Sequence, residues 1–268
     1  MLSETHRTME SLTRWLDEVV TSGDWRAEAS CMAVTYTMHS PAGTRRFTRE
    51  EWIEHLLRRR PLDWRLTVQD LVAHRDHVGI LFTVMRSDAQ TGVETARYGL
   101  AVHRFVDGQC AETWLTWRPA EYGPWPNAAG SRAEWSVAAE DALSPEEESI
   151  AAAMTRYQEI RRTWEAEGLR ALFVDPMIVH GPGATREERL DEFVHRVAAE
   201  PSVSPGLTVA FPVCFVAGSK AILLWSYTHP HPTPAQPSPV AGMTLYAFRA
   251  GKIVERWQGE LPRGTGWS

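Results

Sequence analysis

The chain has 268 residues, 43% of them hydrophobic and 23% charged, with a formal net charge of −6. That composition is globular and long enough for one large or two small domains, and its negative balance argues against a nucleic-acid partner. Cys31, Cys110 and Cys214 are too scattered for a disulfide framework or a zinc site. The charged first sixteen residues do not read as a signal peptide, and apolar runs such as 209–218 are too short to span a bilayer. A cytoplasmic protein without a membrane partner is the default expectation.

Taken in chain order, residues 9–24 predict a helix. A strand-like run containing Tyr36 then ends in "MHSPAG" at 38–43. In "TREEWIEHL" at 48–56, Thr48 fits an N-cap and Glu51 completes a capping box, so a second helix is expected there. Residues 65–87 read as two strands about a polar turn, and "VDGQ" at 106–109 as the turn of a closing hairpin. The span 119–146, rich in Pro, Gly and Ala, reads as a connection between domains at 1–118 and 147–268.

The second half repeats this order. Residues 147–168 predict a helix, with Met154, Tyr157, Ile160 and Trp164 at helical spacing. "VHGPGA" at 179–184 matches "MHSPAG", which puts His39 and His180 141 residues apart. "LTV" recurs at the same offset, "ILF" at 80–82 faces "ILL" at 222–224, and "FVDGQCAETW" at 105–114 faces "FRAGKIVERW" at 248–257. Anchors in one order near one offset imply a domain present twice. "TREERLDEF" at 185–193 lies only 137 residues after its twin. Thr185 and Glu188 are therefore expected to cap a second-half helix that starts four residues early, with a longer loop at 198–206 to compensate. Residues 206–228 should form two strands about "AGSK".

Three features together resemble the nuclear-transport-factor-2-like superfamily: the early helix, "LFVDPMIVHGPG" at 172–183, and the closing "FRAGKIVERW". The SnoaL-like polyketide cyclases and the ketosteroid isomerases are the branches most similar. The resemblance implies an α+β fold. Two tandem cone-shaped α+β barrels are expected, helices packed on a curved antiparallel sheet, joined as an intramolecular pseudo-dimer that could also form a homodimer. It implies chemistry without an organic cofactor or metal. Tyr157 matches the isomerases' oxyanion donor on the first helix. The position of their Asp base holds Ser40 and Gly181, and their second donor falls near Ala101 and Thr244. Glu260, after the closing Trp257, is a displaced candidate for the cyclases' Asp. The carboxylate pair of epoxide hydrolases of this fold finds no counterpart around either "LTV".

The candidate catalytic residues are therefore His180, Tyr157, His39 and Glu260. A His can move a proton near neutral pH, but strand alternation points a His beside the old Asp site away from the cavity. His103 and Tyr246 occupy equivalent positions on the penultimate strands and alternate with Ala101 and Thr244, which suggests cavity lining. With Trp225, Trp257, Trp114, Thr244 and Tyr36 they make up the expected substrate-binding set. Glu112 and Glu255 precede the closing Trp residues as exposed or paired carboxylates. His229 and His231, in a Pro-rich loop, suit a rim or lid better than a metal. The expected partner is a small apolar-aromatic or polyketide-like substrate, and the expected activity is cyclisation or isomerisation of a carbonyl intermediate in natural-product biosynthesis, centred on the second half. A non-catalytic binding or scaffold protein is the alternative, and epoxide opening a third reading.

Overall fold

The structure is a computed structural model and describes residues 3–21, 27–59, 63–87, 91–128, 131–181, 184–233 and 238–267. The chain divides into two compact units, residues 1–142 and 143–267, each a layer of helices with an antiparallel-rich sheet. Among the described residues no helix is long and apolar enough to cross a membrane.

In the first unit, Ser3 starts α1 (Glu4–Arg14), its hydroxyl accepting from the His6 N–H at 3.2 Å. The helix runs on as a π-helical turn over Trp15–Thr21, burying Leu12 and Leu16. The last residues of the expected helix, 22–24, lie outside the described residues. Next come α2 (Glu28–Cys31), β1 (Met32–Ser40), β2 (Gly43–Thr48), α3 (Arg49–Arg59), β3 (Asp63–His74), β4 (His77–Ser87), β5 (Glu94–Val106), β6 (Gln109–Arg118) and β7 (Ser136–Val137). The sheet order is β2-β1-β6-β5-β4-β3-β7. Part of the span read as a connection thus packs on this unit. β7 pairs with β3, and Asp141 accepts from the backbone N–H groups of Glu4 and Thr5 at 2.8 and 3.0 Å.

The second unit opens with α4 (Pro145–Thr163), where Ser144 and Glu147 form a full capping box. Ile150, Met154, Tyr157, Ile160 and Arg161 form its buried stripe. Trp164, at φ 62°, ends it. Then follow α5 (Leu169–Leu172), β8 (Phe173–His180), β9 (Thr185–Glu188), α6 (Leu190–Val203), β10 (Thr208–Ala210), β11 (Cys214–Ala217), β12 (Lys220–Thr228), β13 (Val240–Arg249) and β14 (Lys252–Glu260). The order is β10-β12-β13-β14-β8-β9, with β11 also on β12. β10 and β11 therefore share the place that β3 fills alone. Pro212, which lacks an N–H, lies in the break. Among the described residues neither sheet closes into a barrel.

Two alignments read from the sequence are corrected. The second "TREE" is not a helix start: Thr185–Glu188 is β9, paired with β8. α3 and α6 begin at Arg49 and Leu190, the same 141 residues apart as the histidines, so the helix starts no earlier. Thr48 and Glu51 do cap α3 reciprocally, at 2.7 and 3.2 Å. α6 takes its cap from a distance instead: Asp175 on β8 accepts from the Leu190 N–H at 3.1 Å. The "ILF"/"ILL" match is off by one. Ile80 pairs with Ala101, and Leu223 with Thr244, so the true offset is 143. A one-residue slip would put these side chains on opposite faces.

Both closing hairpins turn on two residues with positive φ: Asp107 and Gly108 at 51° and 74°, Ala250 and Gly251 at 51° and 75°. That is the two-residue turn whose twist suits paired strands. Both are followed by a register shift at the same place, Arg104/Phe105 and Ala247/Phe248.

Candidate functional site

Each unit has its own hollow between helices and sheet. The first unit's cavity is about 290 Å³ and mostly apolar, with His55, Arg86, His103 and Thr113 as its polar lining. Trp15 lines it from the π-helical turn, Tyr36 and Met38 from β1, Trp52 from α3, and Ile80, Phe82, Ala101, Leu115 and Trp117 from the sheet. No Asp or Glu is among its lining residues. His103 on β5 and Thr113 on β6 bring polar groups to its wall. The His103 Nδ1 lies 2.9 Å from Thr113 Oγ1 across the strand pair. Its Nε2 is buried and has no hydrogen-bond partner among the described residues. Burial pushes the imidazole down to about 4, because an apolar wall disfavours the charged ring. It is therefore neutral at physiological pH.

The second unit's cleft is larger, about 600 Å³, and polar. Tyr157 and Arg161 reach it from α4, Arg196 and Glu200 from α6, and Trp225, Tyr227, Thr244, Tyr246, Arg256, Gln258 and Glu260 from the sheet. Arg186 and Arg263 complete a set of five arginines. Glu188 is 3% exposed and answers three of them: Arg186 at 3.5 Å, Arg196 at 2.6 Å and Arg256 at 2.9 Å. Burial would raise its carboxyl, but the Arg196 hydrogen bond and the charges of Arg256, Arg196 and Arg186 outweigh that and hold it low. Among the described residues Arg161 has no such carboxylate contact; its Nη2 donates to Tyr227 Oη at 2.6 Å. Tyr157 and Tyr246 meet edge to face, centroids 5.7 Å apart, and are hydrogen-bonded to one another. Burial, reinforced by Tyr157 and opposed by Arg256, keeps the Tyr246 phenol well above its usual range. Burial also raises Tyr227 to about 12 against the pull of Arg161. Both phenols stay protonated and serve as donors.

In both units an aromatic ring lies across a bare backbone. A Cβ on Gly99 would come within 2.3 Å of Phe82, and one on Gly242 within 2.4 Å of Trp225. Trp225 is fixed there by its Nε1–H donating to Thr244 Oγ1 at 3.0 Å.

The two matched histidines do not reach either hollow. His39 Nδ1 is 2.8 Å from Thr44 Oγ1 and its Nε2 is 2.8 Å from Glu112 Oε1. His180 repeats this with Thr185 at 2.8 Å and Glu255 at 2.6 Å. Both rings are buried and stack on Trp114 and Trp257, centroids 5.4 and 5.3 Å apart. Every ring nitrogen is occupied, and each His ties its β-hairpin to the closing strand. His39 and His180, expected as candidate bases, lie in these ties and not among the lining residues of either hollow, on the side that strand alternation expects. Trp114 and Trp257 face the tie rather than a hollow. Of the remaining candidates, Tyr36 and His103 come together in the first cavity. Tyr157, Thr244, Tyr246, Trp225 and Glu260 come together in the second cleft, with His229 among its lining residues. Asp175 serves the α6 cap and pairs with Arg189 at 3.2 Å.

Arg161, Arg256 and Thr113 go unread in the sequence, and Glu188 reads there only as a helix cap. Helical spacing from Tyr157 would have found Arg161. Counting along β14 by twos from Glu260 would have found Arg256.

These two hollows, each under a helix on an antiparallel-rich sheet, define a small-molecule-binding α+β class. The model of the SnoaL-like domain matches twice, at residues 12–113 and 154–256, and the chain belongs to that family. Solved structures resemble single units. An NTF2-like protein of unknown function from Mesorhizobium loti matches with TM-score 0.38 and 21% identity, over 45% of this chain and 98% of its own. A provisionally assigned ketosteroid isomerase from Kribbella flavida matches with TM-score 0.37 and 21% identity, over 47% and 88%. A provisionally assigned SnoaL-like polyketide cyclase from Jannaschia sp. CCS1 gives 0.37 and 16%, over 44% and 90%. No curated protein matches the chain.

Proposed function

We propose that the first unit's cavity is the catalytic site of a cofactor-independent cyclase or isomerase. Its substrate is a small, largely apolar carbonyl compound of polyketide- or terpenoid-like character. One observation carries this reading: His103 lines an apolar cavity with one nitrogen satisfied by Thr113 and the other buried without a partner. A largely apolar hollow with a single unsatisfied polar group is the usual form of a small-ligand site. The reading moves the reaction from the second half, favoured by the sequence, to the first.

In the tautomer where Nδ1–H donates to Thr113, Nε2 carries the lone pair. It takes a proton from the carbon next to the substrate's carbonyl, giving an enolate. Tyr36, on the cavity wall, is the candidate donor to the developing oxyanion. Isomerisation follows if the imidazolium returns that proton to another carbon. Cyclisation follows if the enolate carbon bonds to a second carbonyl carbon of the same molecule and the resulting alkoxide takes the proton. Either way the ring ends neutral and ready for another turnover.

The test is deuterium incorporation from heavy water next to the carbonyl in a panel of hydrophobic mono- and diketones, followed by mass spectrometry. Wild type is expected to exchange at least one compound, and His103→Gln to slow that exchange by about 10²–10⁴-fold while still binding it. Unchanged exchange in His103→Gln overturns the reading. Because the cavity lining holds no carboxylate, a purely ligand-holding protein is the second reading; tight binding with no exchange in wild type would select it.

A further inference from the structure

We propose that the second unit's cleft is a recognition site for a small organic molecule bearing an oxyanion, a carboxylate or a phosphate, and that Arg161 and Arg256 hold it. The inference does not depend on the reaction assigned to the first unit.

It rests on a shortage of acceptors. Arg161 and Arg256 are each 6% exposed. The Nε of each is buried and has no hydrogen-bond partner among the described residues. A buried guanidinium whose donors go unanswered is unfavourable, and folded proteins seldom keep one without a use. Arg256 receives one oxygen of Glu188, whose other oxygen is taken by Arg196 and Arg186. Among the described residues Arg161 has one side-chain hydrogen bond, to the neutral phenol of Tyr227, and its guanidinium lies over the Trp164 and Tyr227 rings, with Glu200 near enough to act on its charge without a salt bridge. The cleft therefore sets five arginines against Glu188, Glu200 and Glu260, a surplus of two positive charges in a chain whose formal net charge is −6. A solvated surface arginine would explain the surplus trivially, but these two are buried in the cleft wall.

Neighbouring groups extend the match. Tyr157 sits one helical turn before Arg161 on the buried stripe of α4, Tyr246 faces Arg256 across the β13–β14 pair, and the two phenol rings meet edge to face. Phenol donors beside guanidinium forks are the chemistry that grips carboxylate and phosphate oxygens. Trp225, Phe211 and Leu223 add apolar wall for the rest of the molecule. The ligand is thus amphipathic: an anionic head on the arginines and a hydrocarbon body against the rings.

The test uses the full chain and titration calorimetry with four probes: decanoate, its methyl ester, decyl phosphate and decanol. Decanoate or decyl phosphate, or both, is expected to bind at least tenfold tighter than its neutral counterpart, and the stronger of the two names the head group. Arg161→Gln is expected to remove that preference. Gln258→Glu, which adds a carboxylate at a half-buried position in the same cleft, is expected to weaken it about tenfold and serves also if Arg161→Gln does not fold. If neither acid outbinds its neutral counterpart, or the preference survives both substitutions, the proposal is wrong.

Discussion

The two hollows stand on the same framework and differ position by position. Val84, Ala101, His103, Thr113, Leu115 and Trp117 line the first. The matching places in the second hold Tyr227, Thr244, Tyr246, Arg256, Gln258 and Glu260. The strand registers make the match secure: His103 faces Thr113 and Tyr246 faces Arg256, Ala101 faces Leu115 and Thr244 faces Gln258. On the helical side, Phe47, Trp52 and His55 correspond to Glu188, Phe193 and Arg196. One backbone thus supports a mostly apolar hollow and a charged one, so architecture does not dictate chemistry here; the inward-facing alternate residues do. Away from the hollows the units agree, sharing the His–Thr–Glu–Trp tie, the bulge and the glycine turn.

The sharpest break in the comparison is Glu188, where the first unit has an apolar ring. Glu188→Ala leaves Arg196 and Arg256 crowded without their carboxylate, and should destabilise the second unit by about 3–5 kcal/mol in urea unfolding. The same logic gives an acid limit. Its pKa is lowered in the folded state, so the stability it contributes is present above the unfolded carboxylate value and lost as pH falls through the folded one.

His103 gives the first unit its own pH dependence. Its folded value of about 4 lies below the ordinary 6.5. The unfolded chain therefore takes up the proton first as pH falls, and stability declines between about 6.5 and 4 by up to about 3 kcal/mol. His103→Leu should remove that decline in unfolding measured from pH 7 to 4. Turnover in wild type should be flat above about pH 5 and fall as the pH passes through about 4, since only the neutral ring accepts a proton.

The ties should behave alike in both units. His39→Ala and His180→Ala each remove the imidazole that joins a threonine to Glu112 or Glu255 and should each lower stability by about 2 kcal/mol in thermal or urea unfolding. Smallest, Thr44→Val and Thr185→Val should each lower it by about 1 kcal/mol. A large inequality between the two members of either pair would show that the ties are not equivalent.

Much of this arrangement was legible in the sequence. The twin histidines, the glycine turns and the alternation of Ala101 with His103 and of Thr244 with Tyr246 follow from local periodicity, which survives folding. What misled was "TREE". Four identical letters form a capped helix start at Thr48 and a strand at Thr185, because α6 takes its cap from Asp175, fifteen residues back across the sheet. The arginine cleft was hidden for a related reason. Arg161, Arg196 and Arg256 sit on three separate elements, and only the packed sheet and helices bring them to one cleft, Arg196 and Arg256 onto Glu188.

Gly99 and Gly242 have a further consequence. Neither lines a hollow, yet each governs how far a lining ring can retreat. A methyl at Gly99 would collide with Phe82, and one at Gly242 with both Trp225 and the Gly259 carbonyl oxygen, so neither position admits a side chain without moving its neighbours. The reach of each hollow is thus set from behind its wall, by the absence of a side chain no ligand touches.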